Sequence, residues 1–233
     1  MLNGQKTFIS NGQLCDLVIV AARTNADADS VHAGVSLFVV EDGTPGFEKG
    51  KNLEKIGLKA QDTSEMSFTD CIVPKESLLG EEGRGFYYLM EKLQQERLVV
   101  AVGCAASAEI VLADGIRYCQ ECKAFGKPLG KLQHIQFRLA ELATEIEIGR
   151  TFVDRLLAEH VGGHDVVKEV SMAKWWVTEQ LKRTCDEVLQ FHGGYGYMME
   201  YPIARDYLDA RIQTIFAGTT EIMKLIIAKQ IGL

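Results

Sequence analysis

At 233 residues the chain is long enough for one large domain or two smaller ones, with ample material for a core. Hydrophobic content of 47% and charged content of 24% are ordinary globular values, and a formal net charge of -7 argues against a general nucleic-acid or anionic-membrane surface. No uninterrupted apolar run reads as long enough to span a bilayer, and the N-terminus lacks a charged-then-apolar signal. A soluble protein without a membrane span is expected, in the cytoplasm or, with a presequence missing, in an organelle such as the mitochondrial matrix.

Residues 1–80 read as β. FISNG, LVIVAAR, VSLFVV and MSFTDCIV are short β-branched or aromatic runs separated by turn signals at Asn3-Gly4, Asn11-Gly12, Asp42-Gly43 and Pro45-Gly46. Residues 27–30 form a polar loop. LNG at the start reads as a turn with no strand before it, so the chain is expected to begin in the middle of a sheet, with an exposed edge. After Val73-Pro74 the composition changes. GEEGRG (80–85) suits the opening of a helix, and helical periodicity then dominates. One helix runs to about Cys119. A second carries Leu132, Ile135, Leu139, Leu142, Ile146, Val153 and Leu156. A third carries Val167, Val170, Val177, Leu181, Val188 and Leu189 and stops at His192-Gly193-Gly194. A short segment follows Pro202, and a last helix starts near Thr219. The expected class is α+β: a partial antiparallel β-domain over 1–80, then an up-and-down four-helix bundle over 81–233.

Six cysteines are scattered through apolar runs, as reduced thiols would be. Cys119 and Cys122 form a CxxC, but no second pair or suitably spaced histidines accompany it, and no metal site is expected.

Residues 93–104, LQQERLVVAVGC, pose the sharpest question. Leu93, Val100 and Cys104 repeat at helical spacing, which calls for residue 96 or 97 on the same apolar face. Glu96 and Arg97 stand there. A charge on such a stripe is costly unless paired or used. It is a buried ion pair, a helix rotated so that both reach solvent, or a functional carboxylate.

Four further stretches carry chemistry. FISNG (8–12) could lay a ring against a flat ligand and offer a hydroxyl; a core phenylalanine is the simpler reading. KAFGKPLGKLQ (123–133) is a basic, glycine-containing turn before a helix, suited to an anion at the helix N-terminus or to a solvated loop. In QFHGGYGY (190–197), adjacent glycines allow close backbone approach to a ligand, or simply a helix–helix turn. In IFAGTTEI (215–222), Gly218 and Thr219 prepare a capped helix start with free N–H groups.

In this order and after a β segment, these motifs, together with ERLVVA, LNGQKTFISNG and KIGLKAQDTSEMSFTDCIVP, resemble the acyl-CoA dehydrogenase family over the whole chain. The resemblance implies FAD-dependent α,β-dehydrogenation of an acyl-CoA thioester to a trans-2-enoyl-CoA. A carboxylate takes the α-proton, the β-hydride goes to FAD, and an electron-transferring flavoprotein receives the electrons. Most members carry the base immediately before Gly-Thr in the last motif, where this chain has Ala217. The chain is similar to the subset, long-chain-like or isovaleryl-like, that carries it on the earlier bundle helix, at the position of Glu96. The Ala217 N–H remains to bind the thioester oxygen. IFAGTTEIMK with YPIARDYLDARIQ favours the long-chain-like branch.

By the same resemblance, Arg97 lies beside the substrate, Tyr87 lines the acyl channel and Gly218 meets the thioester region. Phe8 and Ser10 pack on the flavin, and Gln133, Gln190, Gly193, Gly194, Thr219 and Glu221 match FAD positions. Several of these serve a neighbouring subunit's FAD, which implies a homo-oligomer, a dimer or a dimer-of-dimers tetramer. Two departures stand out. Cys122 occupies the place of an arginine that meets the FAD pyrophosphate, where a thiol cannot replace its fork of donors; Lys123 or Lys127 could compensate. The family's N-terminal helical domain and the beginning of its β-domain are also absent from these 233 residues. The rival expectation is a non-catalytic bundle that oligomerises without holding FAD; a flavin oxidase of the same fold is a third.

Overall fold

The structure is a computed structural model that describes every residue except 26, 28 and 29. Residues 28 and 29 of the polar loop expected over 27–30 therefore lie outside the described residues. The chain divides into two compact units, residues 1–92 and 93–233.

The first unit is built on two antiparallel sheets. In one, β1 (Leu2–Ser10) and β4 (Phe47–Asn52) flank β5 (Thr63–Cys71); in the other, β2 (Leu17–Arg23) and the short β6 (Leu78–Leu79) flank β3 (Val35–Glu41). The β2–β3 ladder is regular from Leu17↔Glu41 to Arg23↔Val35. The β1–β5 ladder is not: its register shifts between Leu2 and Gly4 and again between Lys6 and Ile9. Val20, Val40, Phe47, Met66, Phe68 and Cys71 form the core, with the rings of Phe47 and Phe68 stacked at 5.0 Å.

Two expectations need correction here. Asn3-Gly4 is not a turn but part of β1. The Asn3 side chain ties that strand to β5, accepting from the Asp70 N–H at 2.8 Å and donating to the Asp70 carboxylate at 3.2 Å. FEKGKN, which carries no β signal beyond its first residue, is a strand because Phe47 anchors it in the core. The Pro45-Gly46 turn holds for a steric reason. Gly46 has φ +83°, and a Cβ there would lie 2.3 Å from the Thr69 carbonyl oxygen.

The second unit is helical. α1 (Gly85–Glu121) enters it from the first unit and is followed by a two-residue hairpin of β7 (Lys123–Ala124) and β8 (Lys127–Pro128). Then come α2 (Gln133–Val161), α3 (Val167–His192), α4 (Pro202–Gln213) and α5 (Thr220–Gln230). α3 is the hub, packing on α2, α4 and α5. The stripes read from the sequence face inward: Leu142, Ile146, Val153 and Leu156 from α2 meet Val170, Val177, Leu181 and Val188 from α3. α1 adds Leu98, Ala101, Cys104, Ala105, Ala108, Val111 and Leu112. α1 is long and apolar enough to cross a membrane by length and composition alone, although Glu109 and Asp114 interrupt its apolar run. Its small apolar side chains instead line the bundle core, where close helix packing uses them.

Candidate active site

Arg97 and Glu96 part company on α1. Arg97 is buried, at 8% exposure, and takes the inward position of the stripe; Glu96, one residue earlier, is exposed. The two are therefore not a buried ion pair. The Arg97 Nε–H donates to the Ala217 carbonyl at 3.2 Å, which ties α1 to the loop before α5. Burial holds the Arg97 pKa below its ordinary value, against the opposing charge of Glu96.

That loop turns sharply. Ala217 and Gly218 both have positive φ, at 51° and 101°. Lys174 of α3, which has no exposed surface, donates from Nζ to the Gly218 carbonyl at 2.6 Å. Consecutive carbonyls are thus held by two different buried cations. Burial pushes the Lys174 pKa down to about 8; the Cys104, Glu179 and Glu221 side chains oppose that shift and Arg97 adds to it. Thr219 caps α5, its hydroxyl accepting from the Ile222 N–H at 3.3 Å. The Glu221 carboxylate, exposed in the first turn, is held below its usual pKa by its own backbone N–H and by the Thr219 hydroxyl. The Thr220 N–H closes the loop onto the Thr214 carbonyl at 3.1 Å. Among the described residues, the N–H groups of Ala217, Gly218 and Thr219 meet no backbone or side-chain acceptor. They are three consecutive donors at a helix N-terminus, suited to a developing oxyanion or another acceptor.

The remaining candidates of this unit lie at the other end of the bundle. α2 and α3 run antiparallel, pinned by ion pairs of Arg183 with Glu145 and of Arg138 with Glu187. Carried one turn further, this register brings Gln133, the first residue of α2, level with the C-terminus of α3. Gln190, Gly193 and Gly194 are there, all exposed. Gly193 has φ 56°, and neither glycine has an atom within 4 Å of where a Cβ would stand, so the backbone faces open space. Tyr118 of α1 stacks on His192 at 3.8 Å and donates to its carbonyl at 3.3 Å. Tyr118 lies about 31 Å along α1 from Arg97, at about 1.5 Å per residue. The candidate residues therefore form two groups at opposite ends. Cys122 belongs to the second group, half-buried, with its backbone bonded to Tyr118 and Leu129. Lys123 and Lys127 are exposed on the hairpin beside it.

In the first unit, Phe8 is not a core residue. It is 77% exposed, with φ 62°, inside the irregular stretch of β1 between Lys6 and Ile9. A non-glycine residue in that conformation with its ring in solvent fits a platform for a flat ligand better than a packing role. Ser10, also exposed, ends the strand opposite Thr63. Tyr87, 43% exposed, opens α1, with the Arg84 guanidinium 4.7 Å from its ring.

A family model for the acyl-CoA dehydrogenase C-terminal domain matches residues 83–232, and one for the acyl-CoA dehydrogenase middle domain matches residues 1–71. The chain belongs to the acyl-CoA dehydrogenase family. The long-chain specific acyl-CoA dehydrogenase, mitochondrial, of Sus scrofa is 50% identical over 231 residues, covering 99% of this chain and 54% of that protein. A crystal structure of an acyl-CoA dehydrogenase from Geobacillus kaustophilus superposes with a TM-score of 0.98 at 57% identity, over 99% of this chain and 61% of that one. A structure described as the electron transferring flavoprotein of Acidaminococcus fermentans matches with a TM-score of 0.94 at 36% identity, over 99% and 60%. The chain thus spans about half the length of the curated relatives it matches.

Within this acyl-CoA dehydrogenase portion, the residue that sequence reasoning missed is Lys174. Its signal was present as a gap. The α3 stripe steps from Val170 to Val177, and the intervening inward positions are Ala173 and Lys174. A lone lysine on an apolar helical face asks for a partner, and the partner is the Gly218 carbonyl.

Proposed function

We propose that this chain carries the middle and C-terminal portions of an FAD-dependent acyl-CoA dehydrogenase of the long-chain-like branch, with Glu96 as the catalytic base. The observation that carries the reading is the Arg97–Ala217 hydrogen bond. It couples the α1 segment bearing Glu96 to a loop with free N–H donors. The α-proton of a thioester is only weakly acidic, so its removal needs both a base and donors on the oxygen that gains enolate charge. Glu96 would take the proton. The Ala217 N–H would hold the thioester oxygen, with Gly218 and Arg97 alongside and Tyr87 toward the acyl chain.

Bound FAD would accept the β-hydride and pass the electrons to an electron-transferring flavoprotein. The residues present fit that cofactor in chemistry: an exposed ring at Phe8 with the Ser10 hydroxyl, free donors around Thr219 and Glu221, and open backbone at Gly193 and Gly194 between the amides of Gln133 and Gln190. Because the Gln133 group and the Thr219 group lie at opposite ends of the bundle, a second copy would supply one of them to each FAD. A homo-oligomer, dimer or tetramer, follows.

A purified protein that holds FAD, and whose flavin bleaches anaerobically on addition of a long-chain acyl-CoA, is the expected outcome. Cys122 favours a second reading, in which the bundle oligomerises without FAD. A colourless protein that does not take up added FAD would select it.

A further inference from the structure

We propose that Lys174 is a positioning residue of the 217–219 loop. With Arg97 it forms a pair of buried cationic clamps that hold the consecutive carbonyls of Gly218 and Ala217 and so fix the free N–H groups beside them. Lys174 has no exposed surface and Arg97 only 8%. Neither makes an ion pair among the described residues, and the cost of burying them is offset by carbonyl oxygens at 2.6 and 3.2 Å. A methionine would fill the same space in α3 without that cost. What the charge adds is electrostatic.

A carbonyl that accepts from a cation polarises its own peptide unit, and the N–H of that unit becomes a stronger donor. The Ala217 carbonyl shares its peptide with the Gly218 N–H, and the Gly218 carbonyl with the Thr219 N–H. Both clamps therefore act on donors that have no acceptor within the chain. They also hold a backbone that would otherwise relax, since Ala217 and Gly218 both sit at positive φ. The groups facing Lys174 are Cys104 and Arg97 from α1, Glu179 on α3 and Glu221 from α5. Lys174 is charged at neutral pH, with a pKa of about 8.

The ligand part of this proposal rests on the acyl-CoA reading: the loop so fixed holds the Ala217 N–H, whose own peptide carries neither clamp, in one orientation toward the thioester oxygen, with the strengthened Gly218 and Thr219 donors and the buried Lys174 charge beside it as enolate charge develops.

Two measurements on wild type, K174M and K174R test it. The first needs no ligand. Amide hydrogen exchange at Thr220 and Met223, whose N–H groups close the loop onto Thr214 and Thr219, is expected to quicken by about tenfold or more in K174M, with Val188 on the same helix unchanged. Unchanged exchange at both loop amides overturns the proposal. So does an equal rise at Val188, which would make Lys174 a packing residue. The second uses FAD-loaded protein and a 3-thiaacyl-CoA, whose acidified α-proton can leave without oxidation and produce a long-wavelength charge-transfer band. The pH midpoint of that band is expected to rise by about one unit in K174M and to return toward wild type in K174R. Equal midpoints in wild type and K174M overturn the proposal. A wild-type protein that holds FAD but gives no band counts against the acyl-CoA reading instead, and loop holding is then decided by the exchange data. K174Q, which keeps a neutral N–H donor, stands in if K174M does not fold, and the same two changes are expected in weaker form.

Discussion

Among the glycines of the candidate site, Gly218 combines a positive φ with a steric barrier to any side chain. Its φ is +101°, and a Cβ there would lie 2.6 Å from the Met223 Cε. Gly218→Ala is expected to destabilise the bundle by about 1–3 kcal/mol, measured by urea unfolding, and a stability equal to wild type would contradict the described backbone. Lys174 gives a pH test with a definite sign. Its folded pKa of about 8 lies below the ordinary 10.5, so between those values the unfolded chain holds a proton that the native state has released. The penalty for burying the charge is fully present below pH 8 and fades as pH rises toward 10.5. Stability of wild type relative to K174M should therefore climb across that window. A flat difference would mean that Lys174 is solvated, and a falling one that its folded pKa is raised rather than lowered. At this scale the sequence was legible where spacing decides and silent where it does not. Helical periodicity allowed either Glu96 or Arg97 to face inward, and only packing put Arg97 there. The exposure of Phe8 depends on a ladder irregularity that no alternation pattern signals.

At the scale of elements, the helices were readable and the strands less so. α2 and α3 start and stop within a few residues of where their stripes and the His192-Gly193 break put them. Long periodic segments leave little choice, because one face must be buried. β4 was missed because FEKGKN has a single core residue, and the Asn3-Gly4 pair misled because its usual turn chemistry is overridden by pairing with Asp70. The same packing logic ranks mutations. Leu156→Ala, at a position with no exposed surface, should cost about 2–4 kcal/mol, whereas Arg138→Ala, which removes a partly exposed ion pair with Glu187, should cost under about 1 kcal/mol. Parallel chemical-denaturation curves check the order, and a reversed ranking would mean that the α2–α3 contact depends on charge rather than on its apolar seam.

At the scale of the molecule, the two groups of candidate residues at opposite ends of the bundle dominate. The motifs could be read one by one from the sequence, but their separation could not, because it depends on the length of α1 and the antiparallel register of α2 and α3. A cofactor that uses both groups needs a second copy, so sedimentation should show FAD bound only to a dimer or larger species. A monomer carrying stoichiometric FAD would contradict the shared site. The most direct measurement is the anaerobic reduction of FAD-loaded protein by a long-chain acyl-CoA, comparing wild type with Glu96→Gln. If Glu96 is the base, the variant binds acyl-CoA with similar affinity and its flavin reduction slows by about 10²- to 10⁴-fold. Bleaching at near the wild-type rate would show that the proton leaves by another route and that Glu96 is only a solvated neighbour of Arg97.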